Sequence, residues 1–152
     1  MTTTPDKILY TARATAKGGR QGHAATDDRK VDVQLTAPTE LGGPGTGTNP
    51  EQLFAVGYAA CFNGALALVA RARKIDASQS RVRANVGFGP EGESFAITVD
   101  LEAEVPGVDL VTAQELVEAA HEVCPYSKAT RGNVPVTVTA VESLDPALDA
   151  TG

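Results

Sequence analysis

The chain has two residues suited to redox or nucleophilic chemistry, Cys61 and Cys124, and they are its only cysteines. Cys61 lies within NPEQLFAVGYAACFNGAL, residues 49–66, an almost uncharged apolar stretch. In such surroundings a cysteine behaves as a small inert hydrophobe, because burial disfavours the thiolate and leaves the sulfur protonated. A chemical role therefore requires a cation from another segment. No Lys or Arg stands in the run, and the best-placed irregular loop, GGRQGH, contains Arg20. Guanidinium stays charged when desolvated and offers a fork of donors. On residue type alone, however, Arg20 is one of several arginines and reads as a solvated loop residue. Cys124, in HEVCPYS, falls where a helical pattern meets Pro125. A disulfide needs the two Cα atoms within roughly 4.4–6.8 Å. Packing a second helix across the first would meet that, and the cysteines would then be an attacking and resolving pair.

Other chemistries are weaker. His121 and Cys124, with His23 and Cys61, form a Cys/His inventory for zinc, but the spacing lacks the two close pairs of a structural site. His121 reads as a half-exposed helix residue beside Glu122. Cys124-Pro125-Tyr126-Ser127 is similar to a monothiol glutaredoxin turn, yet it follows a helix late in the chain rather than the first strand. GGPGTGT has neither GK[ST] nor a glycine fingerprint leaving a strand, so it is a connector and not a phosphate loop. A net charge of −6 and the absence of a basic cluster argue against nucleic acid. The opening MTTTPDKILY shows no basic start followed by an apolar run, so no targeting segment is expected and a reducing cytoplasmic location follows. Leu53 to Ala70 carries no charge, close to the lower limit for a membrane span. Its Ala and Gly content and Asn63 favour the buried centre of a fold or of a dimer, with no membrane partner.

The elements that must position these residues are those of one α+β domain covering 1–152. Strands are expected at 7–17 and 30–36, with a loop between them. A long helix is expected from Asn49 as cap and Pro50 at the first position to Arg73 or Lys74. An antiparallel hairpin follows, with Val82, Ala84, Val86 and Phe88 facing Phe95, Ile97, Val99, Leu101, Ala103 and Val105 across a GPEGE turn. The capping-box spacing of Thr112 and Glu115 starts a second helix, with the stripe Leu116, Val117, Ala120 and Val123. Pro125 ends it and can open a short turn capped by Cys124. A last strand is expected at 134–141.

Three segments, GGRQG (18–22), TNPEQLFAVGYAACF (48–62) and HEVCPYSKATRGNVPV (121–136), resemble in order and spacing the organic hydroperoxide resistance (Ohr) proteins of the OsmC/Ohr superfamily. One departure is the turn TDDRK, where that family often has a glycine-containing turn. The resemblance implies an interwoven α+β homodimer, antiparallel sheets around a long buried central helix, which reduces organic hydroperoxides to alcohols with thiols. It assigns Cys61 as the peroxidatic cysteine, Cys124 as the resolving one, Arg20 as activator of the thiolate and Glu51 as the residue holding Arg20. It implies no bound cofactor or metal, with electrons arriving from dihydrolipoyl groups on lipoylated proteins. Leu53, Phe54, Val56, Tyr58 and Phe62 are candidates for the apolar surroundings that would favour bulky peroxides. Ten residues of helix separate Glu51 from Cys61, about 15 Å by rise per residue and on different faces. Glu51 is therefore expected to serve the Cys61 of a partner subunit. The rival reading is a non-catalytic binding or stress-response member of the same fold.

Overall fold

The computed structural model describes residues 2–146. The chain forms two compact units, the first ending at Leu53 and the second beginning at Phe54.

In the first unit, strands β1 (Ala14–Lys17), β2 (His23–Thr26) and β3 (Asp32–Gln34) make an antiparallel sheet in that order. The expected first strand is shorter than its pattern, and His23–Thr26, expected as loop, is the middle strand. A four-residue signal between a glycine turn and the TDDRK turn is too short to show alternation. Between β1 and β2 the chain reverses through a 3-10 turn, Gly19–Gln21, entered from Gly18 at φ 82°. Gly22 closes it, since a Cβ there would lie 1.8 Å from the Lys17 carbonyl oxygen. GGRQG is thus a geometric requirement for presenting Arg20. In the TDDRK turn, Arg29 takes the left-handed conformation, φ 61°, that a glycine would hold without cost. Asp28 supports the turn by accepting from the Lys30 N–H and the Thr26 hydroxyl. The connector 37–48 contains a 3-10 turn, Thr39–Leu41.

Helix α1 spans Pro50–Ala72, starting as its signals predict. Asn49 Oδ1 accepts from the Gln52 N–H at 2.8 Å, Pro50 occupies the first turn, and Glu51 adds an acid where the dipole favours it. Most of α1 belongs to the second unit, where Tyr58, Phe62, Ala65, Leu66 and Ala70 form its buried stripe. By length and composition the helix could cross a membrane, and 28% of its apolar window is buried. Its uncovered face is also apolar: Val56, Ala60, Gly64 and Leu68 recur every fourth residue and are all exposed.

The second unit's sheet pairs β4 (Arg81–Glu91) with β5 (Ser94–Glu104) as an antiparallel hairpin, in the register Val82–Ala103, Ala84–Leu101, Val86–Val99 and Phe88–Ile97. β6 (Val136–Val141) runs parallel to β5, so this sheet is mixed. Helix α2 (Leu110–Val123) brings buried Ala113, Leu116, Val117 and Ala120 to the core. Its cap is Asp109 rather than Thr112: Asp109 accepts from the Thr112 N–H and hydroxyl, so Thr112 is the third residue of a helix that starts earlier. Pro125 then opens α3 (Pro125–Thr130), with Cys124 as cap, as the proline rule predicts.

Candidate active site

Cys124 is held by its backbone before its sulfur is considered. Pro125 forces it out of helical geometry, to φ −64° and ψ 124°, while its N–H donates to the Ala120 carbonyl and its carbonyl accepts from the Lys128 N–H. One residue therefore ends α2 and begins α3, and its side chain is fully buried. Cys61 sits on α1, half-buried, sharing a face with Phe54 and Tyr58 by its spacing of seven and three residues. The two thiols are free, and Cys124 Sγ donates to Cys61 Sγ at 3.7 Å. A disulfide length of about 2.05 Å is a short approach from there.

Burial pushes the Cys61 thiol up from its ordinary pKa, the backbone N–H of Tyr126 pulls it down by donating to the sulfur, and Cys124 raises it again. None of these three influences is a cation. Tyr126 also packs against Tyr58 and Phe54, with centroid separations of 5.6 and 6.0 Å. Gly57 makes room for it, since a Cβ there would lie 2.8 Å from the Tyr126 hydroxyl oxygen. Of the apolar residues expected around Cys61, Phe54 and Tyr58 join this aromatic cluster. Phe62 is fully buried core and Val56 lies on the exposed stripe.

The first unit holds the second constellation. Arg20 Nη1 donates to Glu51 Oε2 at 2.8 Å and Nη2 to Oε1 at 2.7 Å, a bidentate fork. The Arg20 side chain is 44% exposed and that of Glu51 15%. Hydrogen bonding by Arg20 holds the Glu51 carboxyl below the usual carboxylate range despite burial, and the same bonds raise the guanidinium pKa. Both residues of this pair come from one chain.

The sequence reading missed a hydroxyl network beneath the thiols. His121, expected as a half-exposed neighbour of Glu122, places Nδ1 2.8 Å from Ser127 Oγ. Ser127 Oγ is also 2.8 Å from Tyr58 Oη. Burial and the positive charge of Arg131 hold the His121 pKa below its ordinary value, against a smaller opposing pull from Glu122. The available signal was the hydroxyls of Ser127 and Thr130, about one and two turns beyond Cys124, which an apolar-stripe search passes over.

The second unit holds an apposed pair of reduced thiols and the first a guanidinium–carboxylate pair joined by a bidentate fork, both in a small α+β protein. Residues 43–139 match the family described as OsmC-like protein. The organic hydroperoxide resistance protein of Xanthomonas axonopodis pv. citri is 53% identical over 137 residues, covering 89% of this chain and 96% of that one. Organic hydroperoxide resistance protein OhrB of Bacillus subtilis is 49% identical over 130 residues, covering 84% and 95%. Among solved structures, an organic hydroperoxide resistance protein of Vibrio cholerae, with captopril in one of its active sites, superposes with a TM-score of 0.85 at 46% identity over 93% of this chain and 97% of that one. The chain belongs to the OsmC-like family, among its organic hydroperoxide resistance members.

Proposed function

We propose that the protein is a thiol peroxidase that reduces organic hydroperoxides to alcohols. The Cys61 thiolate attacks the outer peroxide oxygen; the O–O bond breaks, an alkoxide leaves and is protonated to the alcohol, and Cys61 becomes a sulfenic acid. The Cys124 thiol attacks that sulfur, forming the Cys61–Cys124 disulfide and releasing water. A dihydrolipoyl group on a lipoylated protein then reduces the disulfide by exchange, becoming the cyclic disulfide itself. No resident cofactor or metal takes part. The observation that carries this reading is the 3.7 Å separation of two free sulfurs, in a chain whose relatives are named for organic hydroperoxide resistance.

The thiol pair requires a cation, since burial dominates the Cys61 pKa and raises it. In this reading the cation is the partner subunit's Arg20, kept in place by the partner subunit's Glu51, within a cytoplasmic homodimer. The uncovered apolar stripe Val56, Ala60, Gly64 and Leu68 supports such a dimer, because small residues at its centre let two helices approach closely. The guanidinium would lower the thiol pKa and stabilise charge on the leaving oxygen.

Sustained consumption of tert-butyl hydroperoxide with dihydrolipoamide, and much less with thioredoxin or glutathione, is the expected result. No consumption with any thiol would leave the non-catalytic reading. Co-refolding the impaired Arg20→Ala chain with the inactive Cys61→Ser chain should raise activity near pH 7 above that of either alone, because mixed dimers then contain one complete site. Failure to complement in demonstrated mixed dimers would put both residues of the site on the same chain.

A further inference from the structure

Tyr58 and Cys61 stand three residues apart on α1, and Cys124 and Ser127 stand three apart across the start of α3. These four residues make two neighbouring cross-links between the same two elements. One is the sulfur pair at 3.7 Å, and the other joins Tyr58 Oη and Ser127 Oγ at 2.8 Å. Tyr58 and Ser127 are fully buried, and Thr130 nearly so. Thr130 Oγ1 donates to the Ser127 carbonyl at 3.1 Å and lies 3.2 Å from Tyr58 Oη. His121 Nδ1 supplies the remaining partner of Ser127 Oγ at 2.8 Å.

Hydroxyls buried in a core are costly unless every one is bonded, and phenylalanine and alanine would fill the same space without that demand. What the hydroxyls add is direction. They fix the first turn of α3 against α1, one turn away from the sulfurs, and no redox step makes or breaks them. The Tyr58 ring also packs on Tyr126, whose N–H donates to Cys61 Sγ.

We propose that Tyr58 and Ser127, backed by His121 and Thr130, are positioning residues: a fixed pivot that holds the Cys124 sulfur within reach of Cys61 while the sulfur link opens and closes. This deepens the peroxidase reading and rests on it for its role in turnover. Resolution joins the two sulfurs, breaks the S–O bond of the sulfenic acid and the S–H bond of Cys124, and releases water. The competing step is attack of a second hydroperoxide on the same sulfenic acid, giving sulfinic acid and another alcohol. The pivot sets which wins, by fixing the effective concentration of Cys124.

Tyr58→Phe and Ser127→Ala remove one hydroxyl each. In glutathione redox buffer, which requires no peroxidase chemistry, the Cys61–Cys124 disulfide should become about fivefold less favoured in either variant, because closing the disulfide must then order a junction that the pivot had already held in the reduced protein. The double variant should lose little more than either single one. With tert-butyl hydroperoxide, the concentration that diverts half of Cys61 to sulfinic acid should fall by a similar factor, read by mass spectrometry. Ser80→Ala, which removes a hydroxyl bonded to Asn63 at 2.8 Å, is the control: it should lower thermal stability and leave both readouts alone. A wild-type disulfide equilibrium in folded Tyr58→Phe overturns the pivot, and this variant keeps the whole ring if Ser127→Ala does not fold. A shifted equilibrium in a protein whose wild type ignores hydroperoxide supports the pivot and removes the peroxidase reading.

Discussion

The thiol pair of the second unit is held at 3.7 Å by packed helices and a proline-forced junction, whereas the Arg20–Glu51 pair of the first is held by two hydrogen bonds on a loop whose arginine is 44% exposed. The contrast concerns what burial can supply. Packing brings two sulfurs together, but the same packing raises the Cys61 pKa and so disfavours the thiolate. Charge has the opposite profile. A guanidinium remains ionised in any setting but needs a partner to fix its direction, and Glu51 provides a matching fork. Proximity is thus a property of the core, and the core alone does not favour ionisation of Cys61.

The comparison breaks most completely at Cys61. Cys61→Ser should abolish hydroperoxide consumption while Arg20–Glu51 is untouched, measured by peroxide assay at matched protein concentration. Arg20→Ala tests the other half: the pH at which Cys61 becomes reactive should rise, and activity near pH 7 should fall at least about tenfold, one pKa unit being a factor of ten in thiolate. Unfolding free energy should change by less than about 1 kcal/mol, because the pair is partly exposed. An unmoved reactivity profile would remove Arg20 from the mechanism. Gly57→Ala sharpens the packing side: its Cβ, 2.8 Å from Tyr126 Oη, should force the ring away and cost about 1–3 kcal/mol in denaturant unfolding.

The smallest effect is a pH dependence of stability owed to His121. Its folded pKa is depressed by burial and by Arg131, with Glu122 opposing, so the unfolded chain binds the extra proton first. The contribution is complete above the unfolded value of about 6.5 and is lost as pH falls through the folded one. The acid-side slope of stability should be shallower in His121→Ala, followed by thermal melts between pH 7 and 5.

Much of this was legible in the residues. Asn49, Pro50 and Glu51 announce α1, and the cap of Cys124 follows from Pro125, because these are local rules of backbone geometry. The alternation of β4 and β5 predicts their facing residues for the same reason. β2 was not legible, being four residues between a glycine turn and the TDDRK turn with no room for a pattern. Asp109 displaced Thr112 as cap because both are cap-forming residue types three positions apart and only the chain's path selects between them. The network of Tyr58, His121, Ser127 and Thr130 escaped because its members are distant in sequence and polar, while core patterns are apolar. That Arg20 pairs with Glu51 came from family resemblance, since periodicity cannot join a loop to a helix start.

The most direct test adds one equivalent of cumene hydroperoxide to the reduced protein and follows intact mass and peptides. The account predicts a loss of two hydrogens and a peptide joined through Cys61 and Cys124. Two unchanged thiols after the peroxide has been added would contradict it.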